Sequence, residues 1–430
     1  MNPKIHHISI VRYILLVIAF TSLTSSIDAQ IPAPPAETPR VIQASYIHTL
    51  THGTIENGMV LIENGLITAV GTDVEIPPDA IIDNYDGKHV YPAFIHARNL
   101  LGLSEIGAVP VTSDFNELGT INPNVRAQVA FHPGSRHIGV AATHGIAISA
   151  STPTGGFISG LSAAMYTDGW SWDQRIMQAP AGLIVNWPVA INNKEYKKQV
   201  GELREAFDQA RRYHLAANTQ TDHPSDVRWE AMLGVFDGQL PVFIHANEIS
   251  QIQDAVAWAL QENLQIVITG GRDAALMAGQ LASHNIPVLL TPVIGGPARQ
   301  WDHYGEAYAR AALLHNEGVT FAIAGDFGAS SIYRLPHHAG AAVAFGLPHE
   351  EALKAITLYP AQILGLEQRA GSIEEGKEAH LIITNGDPLD FFSSLEQVYI
   401  LGKKIDMQNH HTIMMEKYME KNRQQNQPSP

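Results

Sequence analysis

Between residues 145 and 324 short apolar runs recur at 145–149, 182–186, 240–245, 265–269, 287–291 and 319–324, with helical patterns in between. This alternation constrains the fold more than any other feature. Parallel strands need a crossover of about a dozen residues or more, usually a helix, so apolar runs separated by helical spacing predict a parallel β/α sheet or barrel. Residues 202–214 and 249–263 carry apolar positions three and four apart, and residues 350–364 do so with acidic residues in their first turn.

Both flanks of this core read as β structure. In residues 41–91 the clearest unit is Met59-Val60-Leu61-Ile62, then Glu63-Asn64-Gly65, then Leu66-Ile67-Thr68-Ala69-Val70, a hairpin whose Asn-Gly pair accepts positive φ. Near the other end, runs beginning at Ala379 and Val398 bracket the turn Asn385-Gly386-Asp387-Pro388. The pattern predicts an α/β fold. A (β/α)8-type barrel over residues 92–371 is flanked by a small β-sandwich domain built from both chain ends, 41–91 and 372–410.

Residues 1–29 read as a secretory leader: Lys4 and Arg12, an apolar run from Tyr13 to Phe20, then small and polar residues ending at Ala29. That run is shorter than the about 20 residues needed to cross a bilayer. The expected location is exported, periplasmic or secreted, with no membrane attachment after leader cleavage. Residues 30–40 form a Pro-rich linker and 411–430 a C-terminal tail, with Asn422 to Pro430 polar and expected to be disordered. The chain has no cysteine, which excludes a disulfide framework, thiolate catalysis and a Cys-type zinc site. A net charge of -15 without a Lys/Arg stripe excludes nucleic acid as a partner. A small-molecule substrate or ligand is expected, and outer barrel helices offer faces for an oligomer.

The stretch from Leu353 through Thr357-Leu358-Tyr359-Pro360-Ala361 to Gly365, followed by Gly371-Ser372-Ile373-Glu374-Glu375-Gly376-Lys377-Glu378-Ala379-His380-Leu381, resembles the closing helix and return strand of the amidohydrolase superfamily, most closely its imidazolonepropionase-like group of exported proteins. Asn122-Pro123, Thr154-Gly155-Gly156-Phe157-Ile158-Ser159-Gly160, Asp168-Gly169-Trp170 and residues 222–230 are similar to further landmarks of that group. The resemblance implies a distorted TIM-type barrel with its site at the C-terminal ends of the strands. Active members hold one or two divalent metals there. Their ligands are a His-x-His on the first strand, a carboxylated Lys or Glu on the fourth, His on the fifth and sixth, and Asp on the eighth.

Against that pattern the first strand reads Pro92-Ala93-Phe94-Ile95-His96-Ala97-Arg98-Asn99-Leu100. Arg98 and Leu100 stand at the two histidine positions, and a guanidinium neither donates a lone pair nor tolerates a nearby dication. His96 stands where Asp is usual and shares strand parity with Arg98. His245 in Pro241-Val242-Phe243-Ile244-His245-Ala246 matches the fifth-strand ligand, with a plain buried histidine as the alternative. The next strand, ending Thr269-Gly270-Gly271, offers no His. Asp326, after Ala322-Ile323-Ala324-Gly325, matches the ligand and proton acceptor of the eighth strand, with a cap or loop role as the alternative. No bridging Lys is evident, since Lys194, Lys197 and Lys198 lie in a solvated polar stretch. His337 and His338 open a helix after Leu335-Pro336, where a surface or capping role competes with completion of a rearranged site.

The candidate residues are therefore Asp326 as the catalytic group, His245 and Asp326 as remnant metal-ligand positions, and His96, Arg98, Asn99 and His337 as substrate-binding groups. Two functions follow. One is metal-dependent hydrolysis of a non-peptide C–N bond, as in a cyclic amide, with one divalent, zinc-like metal. The other is a non-catalytic barrel without metal, in which Arg98 receives a small acidic molecule or a partner protein.

Overall fold

The computed structural model describes residues 31–219 and 224–426. The leader lies outside these residues. Two sheets organise the chain. The first is formed by β1 (Arg40–His48), β2 (Thr54–Glu63), β3 (Leu66–Gly71), β4 (Ile81–Pro92), and, from the other chain end, β13 (Leu381–Thr384), β14 (Leu395–Ile400) and β15 (Lys403–Lys404). These run in the order β15-β14-β13-β4-β1-β2-β3 as one seven-stranded sheet, so the β domain drawn from both ends is one continuous mixed sheet. The hairpin between β2 and β3 turns on Asn64 at φ 52° and Gly65 at φ 82°, as its sequence predicts. Ile42 and Ile47 on β1 both join the apolar interior of this domain, and between them β4 carries two extra residues opposite Ala44 and Tyr46.

The second sheet is the barrel: β5 (Phe94–Asn99), β6 (Ile146–Ser151), β7 (Ile158–Tyr166), β8 (Ile176–Asn186), β9 (Val242–Ala246), β10 (Ile266–Gly270), β11 (Val288–Leu290) and β12 (Phe321–Ile323). The strands follow chain order around the ring, and β12 returns beside β5 to close it nearly completely. At that seam Ile323 N–H donates to Ala355 O and Ile95 N–H to Ile356 O, both at 2.9 Å, so one short segment ties the first strand to the last. The same segment breaks the helix expected over 350–364 into His349–Lys354 and Leu358–Leu364. Pro360 explains the break: it has no N–H and tolerates only the first turn of a helix, which must therefore restart just before it.

The barrel departs from strict alternation at β7, which pairs antiparallel with both β6 and β8. No helix separates these three strands, and every residue of β7 is buried, so its sequence shows neither alternation nor a preceding crossover. The helix Ile249–Gln261 starts on a capping box between Glu248 and Gln251, and Tyr196–Thr219 carries the exposed Lys198. At the C-terminus the expected disorder from Asn422 is not found as far as Asn426, because the helix His410–Asn426 runs through it.

Candidate functional site

The C-terminal ends of β5, β9 and β12 bring together most of the side chains singled out in the sequence. On β5, His96 and Arg98 stand two residues apart, all six residues of the strand are buried, and a register shift against β6 falls between His96 and Asn99. Asn99 Oδ1 accepts from Leu101 N–H at 2.8 Å and from the Ser149 hydroxyl at 2.9 Å. Its amide nitrogen must therefore be the donor toward His96, reaching Nδ1 at 3.1 Å and the carbonyl oxygen at 3.2 Å. This fixes the tautomer: His96 Nδ1 accepts, and the ring proton sits on the buried Nε2, with the Asp326 backbone as its nearest acceptor in poor hydrogen-bond geometry. Burial, with His338 nearby, pushes the His96 pKa down to about 3, so the ring is neutral at ordinary pH.

Arg98 is 7 % exposed. Its guanidinium carbon lies 4.2 Å from the centroid of the Phe327 ring, over which it stacks. Among the described residues no carboxylate raises its pKa, and burial alone brings it down to about 10. Acids on neighbouring loops are engaged elsewhere. Glu248 pairs with Arg272, while Asp273 and Asp302 bind Arg299 at 2.5 Å and 3.0 Å.

His245 stands at the end of β9 in register with Thr269 on β10 and Asn186 on β8. Asn247 Nδ2 donates to its Nε2 at 3.2 Å, and Thr269 Oγ1 lies 3.4 Å from Nδ1. Burial first, and then the positive charge of Arg98, lower its pKa to about 4. Gly270 makes room for this ring: at φ 88°, a Cβ there would stand 2.8 Å from His245 Cε1 and 2.6 Å from Asn247 Oδ1.

Asp326 follows Gly325 just beyond β12. Its Oδ2 accepts from Arg334 Nε at 2.8 Å and lies 2.6 Å from Nη2 of the same guanidinium. His338 Nε2 comes within 3.2 Å of the same oxygen. Burial raises the Asp326 pKa, but the His338 ring and the Arg334 guanidinium outweigh it and hold the carboxyl below its usual range. His338 is fixed from its other side, where Nδ1 accepts from Ile294 N–H at 3.1 Å, so Nε2 carries the proton and has no lone pair to give. Gly325 again allows the approach, since a Cβ there would lie 3.1 Å from His338 Cδ2.

The structure separates the two adjacent histidines. His338 is 1 % exposed and faces Asp326, correcting its expected surface or capping role, whereas His337, expected among the substrate-binding groups, lines a separate cavity outside the barrel. Arg334 was missed in the sequence, although it precedes His338 by one helical turn, the spacing that lets both reach one carboxylate.

The family's metal centre does not fit the residues present. His96 and His338 hold protons on the nitrogens left open, His245 Nε2 accepts from Asn247, and Asp326 is tied to Arg334. Among the described residues no three His, Asp or Glu side chains are placed to hold a metal ion.

A nearly closed α/β barrel with polar groups at the C-terminal strand ends, joined to a β domain made from both chain ends, defines a class of barrel hydrolases and their relatives. The model of the amidohydrolase family matches residues 195–409, and the chain belongs to that family. It is 24% identical over 397 residues to the amidohydrolase tasK of Hapsidospora irregularis, covering 80% of this chain and 39% of that protein. It is 30% identical over 176 residues to the imidazolonepropionase of Treponema denticola, covering 38% of this chain and 40% of that one. The matches thus span about two fifths of the length of these curated relatives. Among solved structures, an amidohydrolase from Thermotoga maritima MSB8 superposes with a TM-score of 0.76 at 26% identity, over 85% of this chain and 99% of that one.

Proposed function

We propose that this chain, exported on its leader, uses an amidohydrolase barrel to bind a small acidic molecule at Arg98, and that the family's standard two-metal hydrolysis has been lost from it. One observation carries this reading: Arg98, a residue 7 % exposed, has its guanidinium stacked on an aromatic ring without a carboxylate partner. Burying an unpaired charge costs several kcal/mol, about as much as a buried pair loses when one partner is removed. A carboxylate arriving in the barrel mouth offsets that cost, and the planar fork of Arg receives it bidentately. Asp326, held ionised by Arg334 and His338, repels an acid that approaches from its side and so favours binding on the Arg98 side.

The second reading, hydrolysis of a C–N bond in a cyclic amide with Asp326 as base and His245 as ligand to one divalent metal, is favoured by the position of both residues at strand ends. The two forecast opposite results. Thermal unfolding of the mature chain is followed with a panel of mono- and dicarboxylates, each against its methyl ester, and metal content is measured after incubation with zinc and with manganese. The acid-binding reading expects stabilisation by at least one free acid and none by its ester, with no stoichiometric metal. Stoichiometric metal that Asp326→Ala removes overturns it in favour of hydrolysis.

A further inference from the structure

A second cavity, of about 410 Å³, lies outside the barrel. Its wall includes Phe94, the first residue of β5, so it sits at the opposite end of that strand from Arg98, about 13 Å away at about 3.3 Å per residue. The volume is that of a small-molecule site, which lies between about 300 and 1,000 Å³. Phe94 and Met407 contribute apolar surface and His144, Tyr333 and His337 aromatic rings. The His144 and Tyr333 rings are 5.0 Å apart, and His411 closes on Tyr333 edge-on at 5.4 Å. His337 lies 5.4 Å from Phe391, which stands 75 % exposed on the loop beside the cavity.

Two features set the charge this cavity accepts. Its wall contains one carboxylate, Asp390, and no Lys or Arg. Asp390 Oδ1 takes the Phe392 N–H at 3.0 Å, and among the described residues the carboxylate has no cationic partner. The histidines do not fill that role, because burial holds His144 and His337 below the usual imidazole range and leaves them neutral at pH 7. His144 Nδ1–H donates to Val140 O at 2.7 Å, leaving Nε2 as an acceptor. Aromatic rings and a solvent-facing carboxylate without a cationic partner in one wall favour a cation, through the ring quadrupoles and the charge together.

We propose that this cavity is a second ligand site, independent of the barrel mouth, for an organic monocation: an ammonium group attached to an aromatic ring directly or through a short alkyl chain. The ring packs against Tyr333 and His337 while the ammonium meets Asp390. The test is calorimetric titration of the full mature chain with 2-phenylethylammonium and with phenyltrimethylammonium, using 2-phenylethanol as the uncharged control. Saturable binding of one cation per chain is expected, with 2-phenylethanol about tenfold weaker or worse. Asp390→Asn keeps the acceptor for Phe392 N–H but removes the charge, and is expected to weaken the cation about three- to fivefold, as for a solvent-facing pair. Tyr333→Leu should weaken it several-fold, and Arg98→Met should leave it unchanged, which separates this site from the acid site. Absence of saturable binding, or affinities unaltered in both Asp390→Asn and Tyr333→Leu, overturns the proposal.

Discussion

Two arginines of this molecule show the same charge under opposite treatment: Arg369, 44 % exposed, is paired by the fold with a buried acid, and Arg98, buried, is not. Arg369 sits where the barrel meets the β domain. Its Nε and Nη2 reach Glu378 Oε1 at 2.8 and 2.6 Å, Nη2 also meets the Tyr166 hydroxyl at 2.7 Å, and Nη1 donates to Met177 O at 2.8 Å. Glu378 is completed by the Tyr166 hydroxyl at 2.8 Å and by His380 at 2.9 Å. Burial lowers the Arg369 pKa, but Glu378 more than compensates and raises it. Arg98 has the same head group and the opposite surroundings, a ring face and no acid. Arg175 is intermediate: Nε and Nη1 lack partners, but it still feels Asp168 and reaches Pro133 O. A charge that holds the structure together is satisfied from within. One left unsatisfied at a strand end of a barrel, where such folds place their sites, is available to a ligand.

The comparison is tested most severely by removing the satisfied arginine. Arg369→Met leaves the Glu378 carboxylate buried with only a hydroxyl and an imidazole; because the Arg369 side chain is 44 % exposed, stability should fall by about 2 kcal/mol in urea unfolding, less than for a fully buried pair. A loss within experimental error would mean that the joint is not the satisfied counterpart described above.

Next comes the pH response of the mouth. His245 titrates near 4 in the fold against 6.5 in the unfolded chain, so as pH falls the unfolded state takes the proton first. Stability is therefore complete above about pH 6.5 and is lost on the way down toward 4. His245→Gln should flatten the stability curve between pH 7.5 and 5 by about 2 kcal/mol. An unchanged slope would place the ring in solvent rather than beside Arg98.

The smallest effect is steric. Gly270→Ala forces a Cβ against His245 and Asn247 at positive φ, and should cost about 1.5 kcal/mol. The His245 ring resonances should shift in the same variant. A neutral substitution would show that the packing around His245 is loose.

Much of the barrel is legible in the sequence because its parallel strands appear as apolar runs spaced by helices. β7 is hidden for a physical reason: a strand buried on both faces and reached without a crossover carries neither signal. At the site, the match to the first and eighth strands points to His96, Arg98 and Asp326 as strand-end residues. The tautomers of His96 and His338 cannot be read in advance, because they depend on an amide oriented by Leu101 and on the loop that brings Ile294 to the helix Leu335–Ala344. The isolation of Arg98 is equally invisible. Glu248 and Asp273 follow β9 and β10 and look available to it, until folding commits them to Arg272 and Arg299.

The central claim concerns Arg98, and Arg98→Met tests it most directly when stability and acid binding are measured on the same sample. An unpaired buried charge replaced by an apolar side chain of similar length should leave the free protein more stable, by about 1–2 kcal/mol, while abolishing stabilisation by the carboxylate that protects the parent chain. A variant that is less stable than the parent, or that still responds to the acid, would contradict the account.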